Sequence, residues 1–170
     1  KDQIQTGFRS LWYVGFALLL WSGVMYAIDQ TAKLNRHRES TNWKDTLFIG
    51  IVQCLALIPG VSRSGATMSA GLFRGFDRVT VTKLSFFLSI PALLAAGAYE
   101  SVTKYKDISD GVGWAPTIVA TIVSFFVAYA AVAWLLRYIA HHNLTIFVVY
   151  RIVLGLLIIG LLSFGGVSAT

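Results

Sequence analysis

Residues 112–136 run for 25 positions without a charged side chain. At about 1.5 Å of rise per helical residue, such a run is long enough to cross the ~30 Å hydrocarbon core of a bilayer. Residues 11–28 form a second uncharged run of 18 residues. Trp12, Tyr13 and Tyr26 lie near its ends, where aromatic rings favour the membrane–water boundary. Two more apolar segments follow, residues 84–99 with Pro91 inside them and residues 144–164 interrupted by Arg151. Hydrophobic residues make up 56% of the chain and charged ones 13%, a balance foreign to soluble domains. The expected fold class is all-α: one polytopic membrane domain over residues 1–170. Its transmembrane helices are expected at 11–32, 81–99, 112–137 and 144–166.

A net charge of +6 raises nucleic acid as a partner, but the basic residues fall in short clusters between apolar runs. That is the pattern of loops that orient membrane helices, so nucleic acid is not expected. Cys54 is the only cysteine, which excludes a disulfide framework and a cysteine metal site. It is expected to be a small buried side chain.

Between the first span and the second lies something different. Residues 46–58 are apolar but only 13 long, and Pro59 should stop a helix there. Residues 66–76 form another short apolar piece. Neither crosses a bilayer alone, so residues 43–76 are expected to form a re-entrant hairpin that enters to mid-depth, turns at 59–65 and leaves on the same side. Thr41 and Asn42 are N-cap candidates for its first helix, with Asp45 near the positive end. The alternative, one kinked span over 46–73, would strand Arg63 in mid-membrane at a cost of roughly 3 kcal/mol.

The turn itself reads PGVSRSGAT, residues 59–67. Gly60 and Gly65 permit tight turns and close backbone approach. Ser62, Ser64 and Thr67 offer hydroxyl donors, and a helix starting near residue 65 presents unpaired N–H groups to an anion. Arg63 adds a planar fork that matches phosphate with two hydrogen bonds. The same groups would serve a carboxylate, so this chemistry specifies an anion; serines capping a helix and Arg63 paired structurally is the bland alternative. Arg151, about 10 Å into its helix, either snorkels to the interface or faces inward to support the loop. Gln53 is expected to hydrogen-bond within the hairpin. Small residues at Gly71 and Gly75, Ala66 and Ala70, and Gly155 and Gly160 are expected to let helices pack closely.

Asp and Glu occur at 2, 29, 39, 45, 77, 100, 107 and 110, all in expected loops, so no carboxylate is expected at membrane depth. His37, His141 and His142 are read as loop residues, which leaves no Ser-His-Asp arrangement and no metal ligands in this chain. With four spans and a hairpin, residues 1–10, 100–111 and the C-terminus share one face, carrying Lys1, Arg9, Lys104 and Lys106. The other face carries Lys33, Arg36, Arg38, Lys44, Arg74, Arg78, Lys83 and Arg137. Such a bias assigns the second face to the cytoplasm. The hairpin is then expected to enter from the cytoplasmic side, with the C-terminus outside. The chain lacks an initiator Met and is expected to be the later part of a longer protein.

Residues 53–67, QCLALIPGVSRSGAT, resemble the second signature of the bacterial undecaprenyl-diphosphate phosphatases, also called bacitracin-resistance proteins. Pro59, Gly60, Ser62, Arg63, Ser64, Gly65 and Thr67 fit that signature. The FLSIP run at 87–91 and Tyr150 with Arg151 are similar as well. The resemblance covers nearly the whole chain. It implies two inverted repeats, each a hairpin followed by three spans, of which this chain supplies one preceding span and the second repeat. It implies hydrolysis of undecaprenyl diphosphate to the monophosphate carrier in the bacterial plasma membrane, serving peptidoglycan synthesis and bacitracin resistance. Arg63, Ser62 and Thr67 would act in catalysis. Gly60, Ser62, Arg63, Ser64, Gly65, Thr67, Gln53 and Arg151 would hold the substrate.

The family's other signature, an EGxTEFLPVSSTGH-like stretch carrying its glutamates, serine and histidine, is missing from these 170 residues. The resemblance implies Mg2+ or Ca2+ in the complete protein, on ligands outside this chain, and an inactive isolated fragment. Its partners would be the lipid substrate and membrane lipids, with a homodimer left open. The rival readings are a carrier that flips an isoprenyl phosphate without hydrolysis, since broken hairpins between inverted repeats are a transporter design, and a purely structural subunit.

Overall fold

The computed structural model describes residues 10–164; the expectations for the N-terminal loop and the last C-terminal residues lie outside the described residues. All regular structure among the described residues is helical. In order, α1 is Leu11–Thr31, α2 Trp43–Gln53, α3 Arg63–Phe73, α4 Arg78–Thr103, α5 Tyr105–Asp110, α6 Trp114–His141 and α7 Thr145–Ser163. Short 3-10 turns at Arg38–Ser40 and Cys54–Leu57 precede and follow α2.

Four of these helices, α1, α4, α6 and α7, are long and apolar enough to cross a membrane, with 21, 26, 28 and 19 residues. This is a multi-pass membrane protein. By contrast α2 and α3 have 11 residues each, about 16 Å, half a bilayer.

The chain divides into two compact units. One contains the residues up to Ser85 together with those from His142 onward; the other is Phe86–His141. In the first, α1 buries Gly15, Leu18, Ser22, Met25 and Asp29, a stripe spaced three and four residues apart down one face. Four of the five positions have a partner on another element. A Cβ on Gly15 would meet Ile159 of α7, and one on Gly155 would meet Leu19, so the two helices cross in close contact. Ser22 faces Arg151, and the Met25 sulfur lies against Gly65 of α3. At the stripe's far end, Asp29 accepts from the Arg78 side chain at 2.7 Å and from the Leu144 N–H at 2.9 Å.

In the second unit, no residue of the most apolar stretch of α6 is buried. Tyr105 packs on Trp114, with ring centroids 5.5 Å apart.

Several boundaries differ from the sequence expectation, each for a local reason. Helix α1 ends at Thr31, within the expected 11–32, and Asp29 inside it is a buried helical residue rather than a loop acid. Residues 100–111 are mostly helical, because α4 runs to Thr103 and α5 begins at Tyr105. Helix α6 runs to His141, four residues past the expected end at 137, so Arg137 and His141 are helical rather than loop residues. Helix α4 passes through Pro91 as one element, as the expected span 81–99 requires. Gly75 packs against Asn35 and Arg36 of the preceding loop rather than against another helix. With φ +85° it closes α3: the Phe76 N–H reaches Gly71 O and the Gly75 N–H reaches Leu72 O, a Schellman cap. A Cβ on Gly160 would meet nothing within 4 Å. Cys54 is exposed, since the 3-10 turn after α2 points it out of the hairpin.

Candidate functional site

Two short helices meet at a turn, and local chemistry dictates both their starts. Asn42 caps α2: its side chain accepts from the Asp45 N–H at 3.0 Å, and Asp45 reaches back to the Asn42 N–H at 3.2 Å. This reciprocal pair is a capping box. At the other start, Ser62 caps α3, its hydroxyl accepting from the Gly65 N–H at 3.1 Å. The helix therefore begins at Arg63, earlier than expected, and Gly65 is in its first turn rather than in the loop. Gly65 is buried against Met25, where a Cβ would sit 2.9 Å from the sulfur.

Gly60 forms the tip of the turn with φ +95°. A Cβ there would also lie 2.7 Å from Val14 O and 2.9 Å from the Ala17 Cβ, so both backbone sign and close approach to α1 require glycine. Beside it, α1 and the turn form an apolar groove lined by Tyr13, Phe16, Ala17, Leu19, Leu20 and Ile58.

The polar groups of the turn occupy two levels. At the tip, the Ser62 and Ser64 hydroxyl oxygens are 3.1 Å apart, and Ser64 is exposed. Arg63 is half-buried, and among the described residues its guanidinium makes no ion pair or hydrogen bond. As the first residues of a capped helix, Arg63 and Ser64 direct their backbone N–H groups out of its positive end. One turn deeper, Thr67 is fully buried. Its Oγ1 lies 3.1 Å from Gln53 Oε1 and 2.9 Å from Arg63 O. Gln53 thus bonds within the hairpin, joining α2 to α3, and Thr67 faces that partner rather than the tip.

Arg151 faces inward. From α7 its Nη2 donates to Gly60 O at 2.8 Å, and its Nε donates to Ser22 Oγ at 3.2 Å. Ser22 was not legible as a site residue, because it lies in an otherwise apolar run and only packing brings it to Arg151.

The base of the hairpin is closed by charge. Asp45 is fully buried and takes both Arg36, at 2.6 Å, and Arg74, at 2.7 Å. Above all the hydrogen bond from Arg36, and after it the one from Arg74, hold its carboxyl far below the usual carboxylate range despite its burial. Arg36 also lies over the Phe76 ring at 4.3 Å, and its N–H donates to Gly75 O. Among the described residues no group of three or more His, Cys, Asp or Glu side chains could hold a metal ion. The buried carboxylates Asp29 and Asp45 are committed to arginines. The divalent ion implied by the sequence resemblance does not fit the residues present.

What the arrangement can do is bind an anion. Hydroxyls, outward N–H groups and an uncommitted guanidinium all belong to residues 62–64, where the turn meets α3, and among the described residues no carboxylate is bonded to any of them.

A family model described as "Bacitracin resistance protein BacA" matches residues 1–157. The chain is 64% identical over its whole length to "Undecaprenyl-diphosphatase 3" of Frankia casuarinae, covering 61% of that protein. It is 53% identical to "Undecaprenyl-diphosphatase" of Cutibacterium acnes, with 99% of the chain and 62% of the relative aligned. It is 49% identical to the protein of that name from Nocardia farcinica, all of the chain against 55% of the relative. The chain spans about three-fifths of the length of the curated relatives it matches.

Proposed function

Because this chain belongs to the bacitracin resistance protein BacA family, we propose that it is the anion-holding part of an enzyme that removes the terminal phosphate from undecaprenyl diphosphate. The observation that carries this reading is the capped N-terminus of α3. Ser62 fixes the first turn, Arg63 keeps its guanidinium unspent among the described residues, and the hydroxyls of Ser62 and Ser64, its neighbours in the chain, lie 3.1 Å apart. A diphosphate at that position takes two hydrogen bonds from the Arg63 fork and others from the outward N–H groups and hydroxyls. As the attacking oxygen bonds to the terminal phosphorus and the P–O–P bridge breaks, negative charge grows on the phosphoryl oxygens and on the departing lipid monophosphate. Donors already aimed at those oxygens stabilise that charge without reorganising.

The apolar groove beside Ile58 suits the hydrocarbon part of such a lipid. Thr67 and Gln53 act beneath, holding the two hairpin helices in register. The group that activates the attacking oxygen, and any Mg2+ or Ca2+, belong on this reading to residues beyond these 170.

We also propose that the hairpin is re-entrant from the cytoplasmic face and that the C-terminus lies outside, on the strength of the Lys and Arg distribution. A reporter active only in the cytoplasm, fused after Thr170, should then be silent; a strong signal overturns this orientation. For the activity, a full-length protein carrying these residues should release phosphate from undecaprenyl diphosphate, and the isolated chain should not. Movement of the lipid across a vesicle wall without phosphate release would replace hydrolysis with transport.

A further inference from the structure

Arg151 is the other arginine of the membrane interior, and its geometry differs from that of Arg63. Two of its nitrogens are already engaged, Nη2 on the Gly60 carbonyl and Nε on the Ser22 hydroxyl. Ser22 has no exposed surface, and its own hydroxyl proton goes to Leu18 O at 2.6 Å. The Ser22 oxygen is thereby turned to accept, which presents a lone pair to Arg151. Both Leu18 and Ser22 belong to the stripe that α1 buries, and Gly60 itself sits against Val14 and Ala17 of the same helix. One guanidinium therefore ties α7, α1 and the tip of the turn together.

Resting on the proposed diphosphatase reading, we infer that Arg151 and Ser22 form a brace that positions the Gly60 carbonyl and with it the first turn of α3, without touching the substrate. The carbonyl of Gly60 is two residues before the Ser62 cap, so a shift at Gly60 moves the cap and both outward N–H groups. Gly60 is also where the backbone has φ +95°, a geometry that only glycine adopts freely and that needs outside support to persist. A planar fork with several donors in fixed directions can reach two acceptors at once; a lysine ammonium on a flexible stem holds them less rigidly. Positioning of this kind shows in the chemical step, because misplacement of reacting groups by a fraction of an ångström lowers turnover more than binding.

The test uses the full-length protein carrying these residues, with Cys54→Ala to remove the exposed thiol and Val61→Cys as a reporter on the turn. Maleimide modification of Val61→Cys should speed up at least fivefold in Arg151→Met and to a lesser extent in Ser22→Ala. With Val61 restored, Arg151→Met should lower kcat for phosphate release by 10- to 100-fold and change KM less than threefold. Ser22→Ala should fall between it and wild type, and Arg151→Lys should recover only part of the loss. A raised KM with unchanged kcat and unchanged thiol reactivity would make Arg151 a substrate contact and overturn the brace. If Arg151→Met does not fold, Ser22→Ala and Arg151→Lys decide; unchanged thiol reactivity in both overturns the inference. Should the wild-type protein release no phosphate, the diphosphatase reading fails on its own, and the maleimide rates still test the brace.

Discussion

Asp45 and Arg74 are 29 residues apart and their side chains meet at 2.7 Å, closing the base of the hairpin whose tip carries Arg63. The carboxylate is fully buried, whereas Arg74 and Arg36 each keep part of their surface in contact with solvent. Removing the acid would leave two arginines facing each other over Phe76 and Phe48. Asp45→Asn should therefore destabilise the fold by about 2 kcal/mol, less than a fully buried pair because the arginines can rehydrate. Thermal unfolding in detergent checks this, and a variant as stable as wild type would remove the clamp.

The same pair sets a pH dependence. Arg36 first, then Arg74, depress the Asp45 carboxyl against the opposing effect of its burial. Asp77 is also lowered: burial pushes it up, but the Thr80 hydroxyl and N–H and His37 outweigh that. A carboxylate depressed by folding stabilises the protein above its unfolded value, near 3.8, and loses that contribution as pH falls through its folded value. The stability gap between wild type and Asp45→Asn should stay constant from about pH 5 to 8 and narrow only below about pH 4. A gap that closes between pH 8 and 6 would contradict the assignment.

Arg63 should separate function from folding. Its guanidinium has no bonding partner among the described residues, so Arg63→Ala should leave the unfolding temperature within about 2 °C of wild type. In a full-length protein carrying these residues it should cost about 2–4 kcal/mol of transition-state stabilisation, read as kcat/KM for phosphate release. Near-normal turnover would take Arg63 out of the site.

Thr67 and Gln53 offer the converse. Thr67 is fully buried, so Thr67→Val leaves the Gln53 oxygen without that donor and should cost about 1–2 kcal/mol of stability. Combining it with Gln53→Leu should cost less than the sum of the single changes by roughly 1 kcal/mol. Strict additivity would mean that the 3.1 Å contact carries no energy.

Much of this architecture was legible because it is local. Run length distinguishes the helices that cross from the two that cannot. The capping role of Ser62 and the Asn42–Asp45 box depend on side chains three residues from their partners, a reach independent of the rest of the fold. Legibility ended where exposure depends on packing: Cys54 turned outward, Gly65 moved from loop to helix, and the loop acids Asp29 and Asp45 became buried centres of charge.

By itself, then, the amino-acid sequence determined four apolar spans, a hairpin too short to cross, and an anion-binding composition at its turn. These follow from rise per residue, helix capping and the cost of a charge in hydrocarbon, which are properties of short stretches. Only the tertiary structure decided that Arg151 holds Gly60 from 91 residues away and that Asp29 receives the Leu144 N–H from 115 residues away. Those partners lie on different helices, and their meeting depends on the crossing of α1 with α7, a property of the packed structure and of no single segment.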